Sequence, residues 1–347
     1  MSGVLESLEL SRMAQRLVKT NVFPSEHVVV VTSSDQHHAV VEVIGAACDL
    51  VAATTTLVVL PPPQADHAYR HPAPAVDAAR SADVVIVATT LAFPRAYDDL
   101  TAAVLDAGGR LVLLNNALPT ELARGAAMAD PTVLDSATSS LASTISEGRR
   151  LRLCTAAGTD FEVGISRPCY SLTRTADSES GFGSFPSGEA MLAVEEGTAT
   201  GTFVATDFGQ AVYLDGAGPP LGLLEDNIVL TFSEGTLQRV EGGAAANRLN
   251  AILDRGDDNS WLVGELGIGT NPSALAVDAV ENKFREGTAH IALGSNDMIG
   301  WRASALYGGT IHSALHIDLV AGDVQIHIDG RPILRSGKRI DGATGER

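Results

Sequence analysis

Cysteine is scarce in this 347-residue chain: Cys48, Cys154 and Cys169 lie far apart and form no Cys-x-x-Cys pair. That argues against a disulfide framework and a thiolate zinc site, and fits a reducing compartment, with the cytoplasm as the default expectation. Basic residues are outnumbered, 24 Lys and Arg against 42 Asp and Glu, for a formal net charge of −18. A field of that sign repels nucleic acid and anionic membrane surfaces, so neither is expected as a partner. Long apolar runs are missing too. No stretch approaches the roughly 18 uninterrupted apolar residues of a membrane span. The N-terminal MSGVLESLELSRMAQRL carries Glu and Arg throughout its helical apolar spacing, which reads as an amphipathic surface helix and not as a signal peptide. With 45% hydrophobic and 19% charged residues, the composition is that of a globular protein. Its length accommodates two domains at roughly 100–200 residues each.

Residues 1–150 alternate short β-branched runs with Ala-rich helical ones. Strands are expected at His27–Ser33, Thr54–Leu60, Asp83–Thr89 and Arg110–Leu114, and helices at Gln36–Ala47, Val76–Arg80 and Asp98–Asp106. That alternation predicts an α/β domain with a mostly parallel sheet. A nucleotide-binding version would need glycine after the first strand, where backbone approaches a pyrophosphate. Here the turn reads TSSDQHH, so no nucleotide cofactor is expected. Residues 151–347 change to β-rich segments between Gly, Asp and Asn turns, including Leu151–Ala156, Gly201–Ala205, Asn227–Phe232 and a hairpin-like tail from His312 to Leu334. This half is expected to be a β-rich α+β domain. Ser178–Ser187, rich in Ser and Gly, reads as a loop near a functional surface.

Histidine is absent from a long central stretch: five lie in the first 71 residues and four in the last 58, beginning at His290. In LHIDLV, strand periodicity puts His316 and Asp318 on one face, an imidazole beside a carboxylate able to chelate a cation. The alternative is two polar residues facing water. IHIDG repeats the spacing at His327 and Asp329, but ends in the Asp-Gly of a hairpin turn, so His327 is expected on an exposed strand. His290, in EGTAHIALGSND, adds a third candidate.

Taken in order, Pro-Ser-Gly-Glu189, Gly-Glu265-Leu-Gly, Glu281-Asn-Lys, Gly-Thr-Ala-His290-Ile-Ala-Leu-Gly and His316-Ile-Asp318 resemble the aminopeptidase T family of metallopeptidases over about residues 160–330. The resemblance implies Glu189, Glu265, Glu281, His290, His316 and Asp318 as ligands of two divalent cations, with Glu286 a competitor for the place of Glu281. Four carboxylates would balance two dications, and oxygen-rich ligation with two imidazoles suits zinc, manganese, cobalt or iron. Two metals roughly 3.5–4 Å apart share and acidify a water, so hydrolysis of a peptide, amide or cyclic-amide C–N bond is the expected chemistry. Glu265 would bridge the metals, and Glu281 would ligate one or act as general base. A small-molecule or short-peptide substrate and a homo-oligomer are expected.

One position departs from the peptidase pattern. Asp297 stands where the peptidases carry a tyrosine, seven residues after the histidine, and an ionised carboxylate accepts hydrogen bonds but cannot donate them. Asp297 is a candidate to hold a substrate amine or ring nitrogen, or else a turn cap with Asn296, and Tyr307 is a candidate to replace the missing phenol. The chain also resembles the 2,5-dihydroxypyridine ring-cleaving dioxygenases in GIGTNP and the closing His-x-Asp. That alternative needs one ferrous ion, with His290, His316 and Asp318 as the triad. The dioxygenases carry histidine where this chain has Glu265, and lack the acid at Glu189.

Overall fold

The computed structural model describes residues 2–62, 71–89, 98–114, 118–174, 178–213, 221–276, 279–335 and 337–340. In chain order the first half runs α1 (Ser2–Asn21), β1 (His27–Ser33), α2 (His38–Leu50), β2 (Thr54–Leu60), α3 (Ala73–Arg80), β3 (Val84–Ala88), α4 (Asp99–Asp106), β4 (Arg110–Leu114), α5 (Pro119–Leu122) and α6 (Pro131–Ser146). A 3-10 turn, Gly125–Met128, separates the last two helices. The Asp98 side chain caps α4 by accepting from the Thr101 amide, and Asp130 caps α6 ahead of Pro131, so both helices start where a short acceptor meets their orphan amides.

The second half contributes β5 (Arg150–Cys154), β6 (Asp160–Gly164), β7 (Tyr170–Leu172), β8 (Phe182–Phe185), β9 (Glu189–Ala193), β10 (Thr200–Ala205), β11 (Phe208–Tyr213), β12 (Gly222–Leu223), β13 (Ile228–Ser233) and β14 (Thr236–Glu241). It continues with α7 (Ala244–Leu253), β15 (Val263–Gly269), α8 (Ala279–Phe284), β16 (Ala289–Gly294), α9 (Ser304–Tyr307), β17 (Leu315–Ala321), β18 (Gln325–Ile328), β19 (Arg331–Arg335) and β20 (Lys338–Arg339). Among the described residues no helix is long and apolar enough to cross a membrane.

Three sheets result among the described residues. The first, in order β2-β1-β3-β4-β8, is parallel throughout. Val28, Val30, Ile86 and Leu114 pack under α1 and α2, while Val29, Val31, Val85 and Leu113 pack under α3 and α4. Burial on both faces is what a run such as HVVVV requires of a parallel sheet. The other two are antiparallel in every recorded pairing: β14-β13-β10-β6-β5-β18-β19-β20 and β12-β11-β17-β16-β15-β9-β7. Their facing sides form one apolar core, with Phe161, Leu151 and Phe203 from one sheet against Leu266, Ile291 and Ile317 from the other.

Two expectations change here. Ser178–Ser187 is not a surface loop: its centre is β8, buried, and paired in parallel with β4. Its polar composition is compatible with burial because the hydroxyls are satisfied locally, Ser178 and Ser180 at the Tyr170 hydroxyl and Ser184 at the Pro186 carbonyl. Consequently the first sheet draws its last strand, β8, from beyond residue 150. The expected tail hairpin is likewise split, since β17 lies inside one antiparallel sheet while β18 and β19 pair in the other.

Phe161 meets Phe203 and Phe232 edge-on, with ring centroids 6.1 and 5.4 Å away, at the middle of the sandwich. Phe161→Ala is expected to cost about 3–5 kcal/mol, read from urea unfolding. A loss under about 1 kcal/mol would mean the two antiparallel sheets do not share this core.

Candidate metal centre

The sandwich core determines what the opposite face of the seven-stranded sheet must carry. In β17, Leu315, Ile317 and Leu319 point into the core, so period-two alternation turns His316 and Asp318 to the other side. The same rule puts His290 opposite Ile291 in β16, Glu265 opposite Leu266 in β15 and Glu189 opposite Ala190 in β9. These strands are neighbours in the order β17-β16-β15-β9, and register pairs Gly267 with His290 and Ala292 with Asp318. On the same face Met191 and Ala193 join the core layer beneath the first sheet, so the polar cluster is covered and not left to solvent. Glu189, Glu265 and His290 are fully buried, and His316 and Asp318 nearly so.

The donor atoms fall into two groups, each drawn together within 4.8 Å: Glu189, Glu265 and His290, and Glu265, His316 and Asp318. Glu265 belongs to both. His290 Nε2 lies 3.0 Å from Glu265 Oε1 and 3.1 Å from Glu189 Oε1. His316 Nε2 lies 3.4 Å from Asp318 Oδ1 and 3.7 Å from Glu265 Oε2. Gly267 permits the first group, because a Cβ there would overlap both the His290 ring and the Glu189 carboxylate. His316 Nδ1 lies 2.8 Å from the Ser295 carbonyl. A carbonyl only accepts, so that nitrogen carries a proton, which fixes the ring with Nε2 toward the carboxylates.

Charge makes this arrangement costly as it stands. Three buried carboxylates face one ammonium, that of Lys283, whose Nζ is 3.2 Å from Asp318 Oδ1 and 3.8 Å from both Glu189 Oε1 and Glu265 Oε1. With neutral imidazoles, two negative charges remain uncompensated in a buried site. Burial and Lys283 both oppose the charged form of His290, yet Glu189 and Glu265 outweigh them and hold its pKa up at about 9. Burial likewise opposes the charged His316, and Asp318 and Glu265 raise its pKa against that pull. Burial pushes the Glu265 and Asp318 carboxyls up, but Lys283 and the imidazoles bring both below the ordinary carboxylate range.

Hydrogen bonds are missing as well. His290 Nε2 has one proton and directs it to Glu265, leaving both Glu189 oxygens, Glu265 Oε2 and His290 Nδ1 buried without a hydrogen-bond partner among the described residues. Divalent cations would neutralise the charge and use the lone pairs of Glu189 and Glu265, so the residues present fit a metal.

Several expected residues sit elsewhere. Glu281 is not in either group: its Oε1 accepts from the Ala126 amide and its Oε2 from the Leu275 amide, so the carboxylate is taken up by backbone. Asn271 holds the Ala126 carbonyl, and the two side chains clamp the turn after α5 to α8. Glu286 is exposed. Asp297 accepts from Ser295 Oγ at 2.6 Å and lies 2.9 Å from His312 Nδ1, which makes it the anchor of a surface turn. Tyr307 packs edge-on against Tyr170, centroids 5.2 Å apart, beside Ser178 and Glu179 in a polar cleft of about 570 Å³. His327 lies in the other antiparallel sheet, and Asp329 accepts from the Arg149 and Arg150 amides. His290 Nε2 also lies 3.7 Å from Asp318 Oδ1, while the donors of His316 and Asp318 converge with Glu265. Lys283 was not singled out by sequence, although it stands in the Glu-Asn-Lys motif two residues beyond Glu281.

The family model described as NicX, 2,5-dihydroxypyridine 5,6-dioxygenase, matches residues 10–341. Among solved structures, 2,5-dihydroxypyridine dioxygenase from Pseudomonas putida KT2440 is similar at 20% identity and TM-score 0.75, covering 96% of this chain and 98% of its own. AmpT from Thermus thermophilus is similar at 15% identity and TM-score 0.65, covering 96% and 99%. At these identities the two structures share the fold with this chain. No curated protein matches the sequence.

Substitution separates cage from clamp. Glu265→Gln and His316→Ala are each expected to remove most bound metal, measured by elemental analysis after anaerobic loading, with near-native circular dichroism. Glu281→Gln should keep its metal and lose about 1.5–3 kcal/mol of stability, and His327→Ala should change neither. Metal lost from the Glu281 variant and kept by the Glu265 variant would reverse the assignment.

Proposed function

Because the chain belongs to the 2,5-dihydroxypyridine 5,6-dioxygenase family, we propose that it opens the ring of a small hydroxylated N-heteroaromatic compound with dioxygen, at a ferrous ion held by Glu265, His316 and Asp318. The observation that carries this reading is the convergence of those three buried donors within 4.8 Å. Where the dioxygenases it resembles carry histidine, Glu265 makes the set one imidazole and two carboxylates, a hard, oxygen-rich set suited to ferrous or manganous ions more than to copper. When bound, ferrous iron supplies open positions at which a substrate oxygen and dioxygen are held side by side and an electron can be delivered between them.

The protein's own part is positioning and exclusion. Ser295 orients His316, so its ligating nitrogen is presented without reorganisation. Sheet alternation fixes Asp318 and Glu265 on rigid strands, and burial keeps bulk water from a reactive, oxygen-dependent site. Lys283, on α8 where the two donor groups meet, brings a positive charge to the partly exposed side of the cluster, from which an ionised ring hydroxyl would approach.

A second reading has its own support. Glu189, Glu265 and His290 form a further donor group that shares Glu265. A shared carboxylate between two three-donor sets is the arrangement that two-metal hydrolysis uses, and AmpT has the same fold.

An oxygen electrode distinguishes the two. Protein loaded with ferrous iron under argon is expected to consume about one dioxygen per 2,5-dihydroxypyridine or related ring opened, with loss of the aromatic absorbance and no turnover without oxygen. Cleavage of dipeptides or cyclic amides under argon, with two zinc or manganese ions per chain, would instead establish the hydrolytic reading.

A further inference from the structure

The Lys283 ammonium lies close to a carboxylate from three of the four strands that feed the cage: Glu189 from β9, the shared Glu265 from β15 and Asp318 from β17. It therefore sits where the two donor groups meet, and not at the rim of one of them. A metal held by Asp318 and Glu265 would draw on oxygens that the ammonium also approaches. Two cations sharing those oxygens repel, and each carboxylate lone pair given to one is withdrawn from the other. Lys283 is also the member of the cluster with freedom to leave. Its side chain is 18% exposed where the Glu189, Glu265 and His290 side chains are 0–1% exposed, and it hangs on a flexible four-carbon stem from a short helix.

We propose that Lys283 is the resident counter-cation of the metal-free cage and that metal loading is an exchange: the divalent ion takes the carboxylates, and the ammonium swings out to the partly exposed side. The proposal rests on the reading of the cluster as a metal site and is independent of the reaction catalysed there. In the metal-free chain the ammonium keeps three buried carboxylates from repelling one another, so the donors stay assembled without a metal. The same contacts set a threshold for entry. An ion that gives up hydration water reluctantly, such as magnesium, does not displace the ammonium, whereas one with high affinity for imidazole and carboxylate does.

The test uses manganese and zinc salts with the full chain, at one fixed pH. For Lys283→Met, calorimetric titration should show manganese bound about tenfold or more tighter than in the wild type, together with a lower melting temperature of the metal-free protein. Lys283→Arg, which keeps the charge, should stay within about threefold of wild-type affinity. In the wild-type protein itself, pulse acetylation read by mass spectrometry should label Lys283 faster after zinc loading than before, because the amine has left its carboxylates. Equal or weaker manganese binding by Lys283→Met, or Lys283 labelling that zinc leaves unchanged or slows, would overturn the exchange while leaving the metal site intact. Failure of both the wild type and Lys283→Met to bind either metal would overturn the metal reading, and the exchange with it.

Discussion

The arrangement turns on a concentration of negative charge that the fold buries and does not itself neutralise. Glu189, Glu265 and Asp318 lie on one face of one sheet with almost no exposure, answered by the Lys283 ammonium and by the His290 and His316 rings that the carboxylates hold toward the protonated form. Water would stabilise such a set cheaply. A buried site does so only through a partner charge or coordinated ion. The apolar sandwich behind this face makes the cluster possible, since Ile317, Leu266 and Ile291 anchor the strands whose alternate residues are the donors. Stability is provided on one side of the sheet and chemistry on the other, by the same strands.

The turn after α5 reaches this site through α8. That helix carries Lys283 toward the cage and, two residues earlier, Glu281 toward the Ala126 amide, while Asn271 takes the Ala126 carbonyl. Backbone after the carboxyl end of β4 is therefore held against the helix that carries Lys283. In parallel α/β sheets that edge is where ligands are usually met. Here the turn at Ala126 meets Glu281 of α8 and Asn271 instead. Gly267 imposes a comparable constraint within the sheet, keeping open the space through which Glu189 approaches His290.

Much of this was legible in the sequence for a simple reason. Strand alternation is a local property, so His316 and Asp318 can be assigned a common face, and β1, β2 and β4 can be delimited from valine- and leucine-rich runs alone. The ring of donors is not local. Glu281 has the right residue type and neighbours for a ligand, but the backbone amides of Ala126 and Leu275 claim its carboxylate, and the Ala126 amide is 155 positions away in sequence. Lys283 is not legible as part of the site, because a lysine on a short helix ordinarily faces water and nothing nearby in sequence signals three carboxylates converging on it. Ser178–Ser187 misled for the opposite reason, since its hydroxyls find partners within the segment and at Tyr170 and leave Phe182 and Phe185 to be buried.

The central claim is that these buried carboxylates and imidazoles exist to hold a metal, with Glu265, His316 and Asp318 around it. Anomalous diffraction at the iron edge, from crystals grown and loaded with ferrous iron under argon, tests it most directly. The account predicts a strong anomalous peak within bonding distance of Glu265, His316 and Asp318, with the Lys283 side chain turned away from Asp318. A cage with no anomalous peak, and Lys283 still seated among the carboxylates at saturating iron, would contradict it.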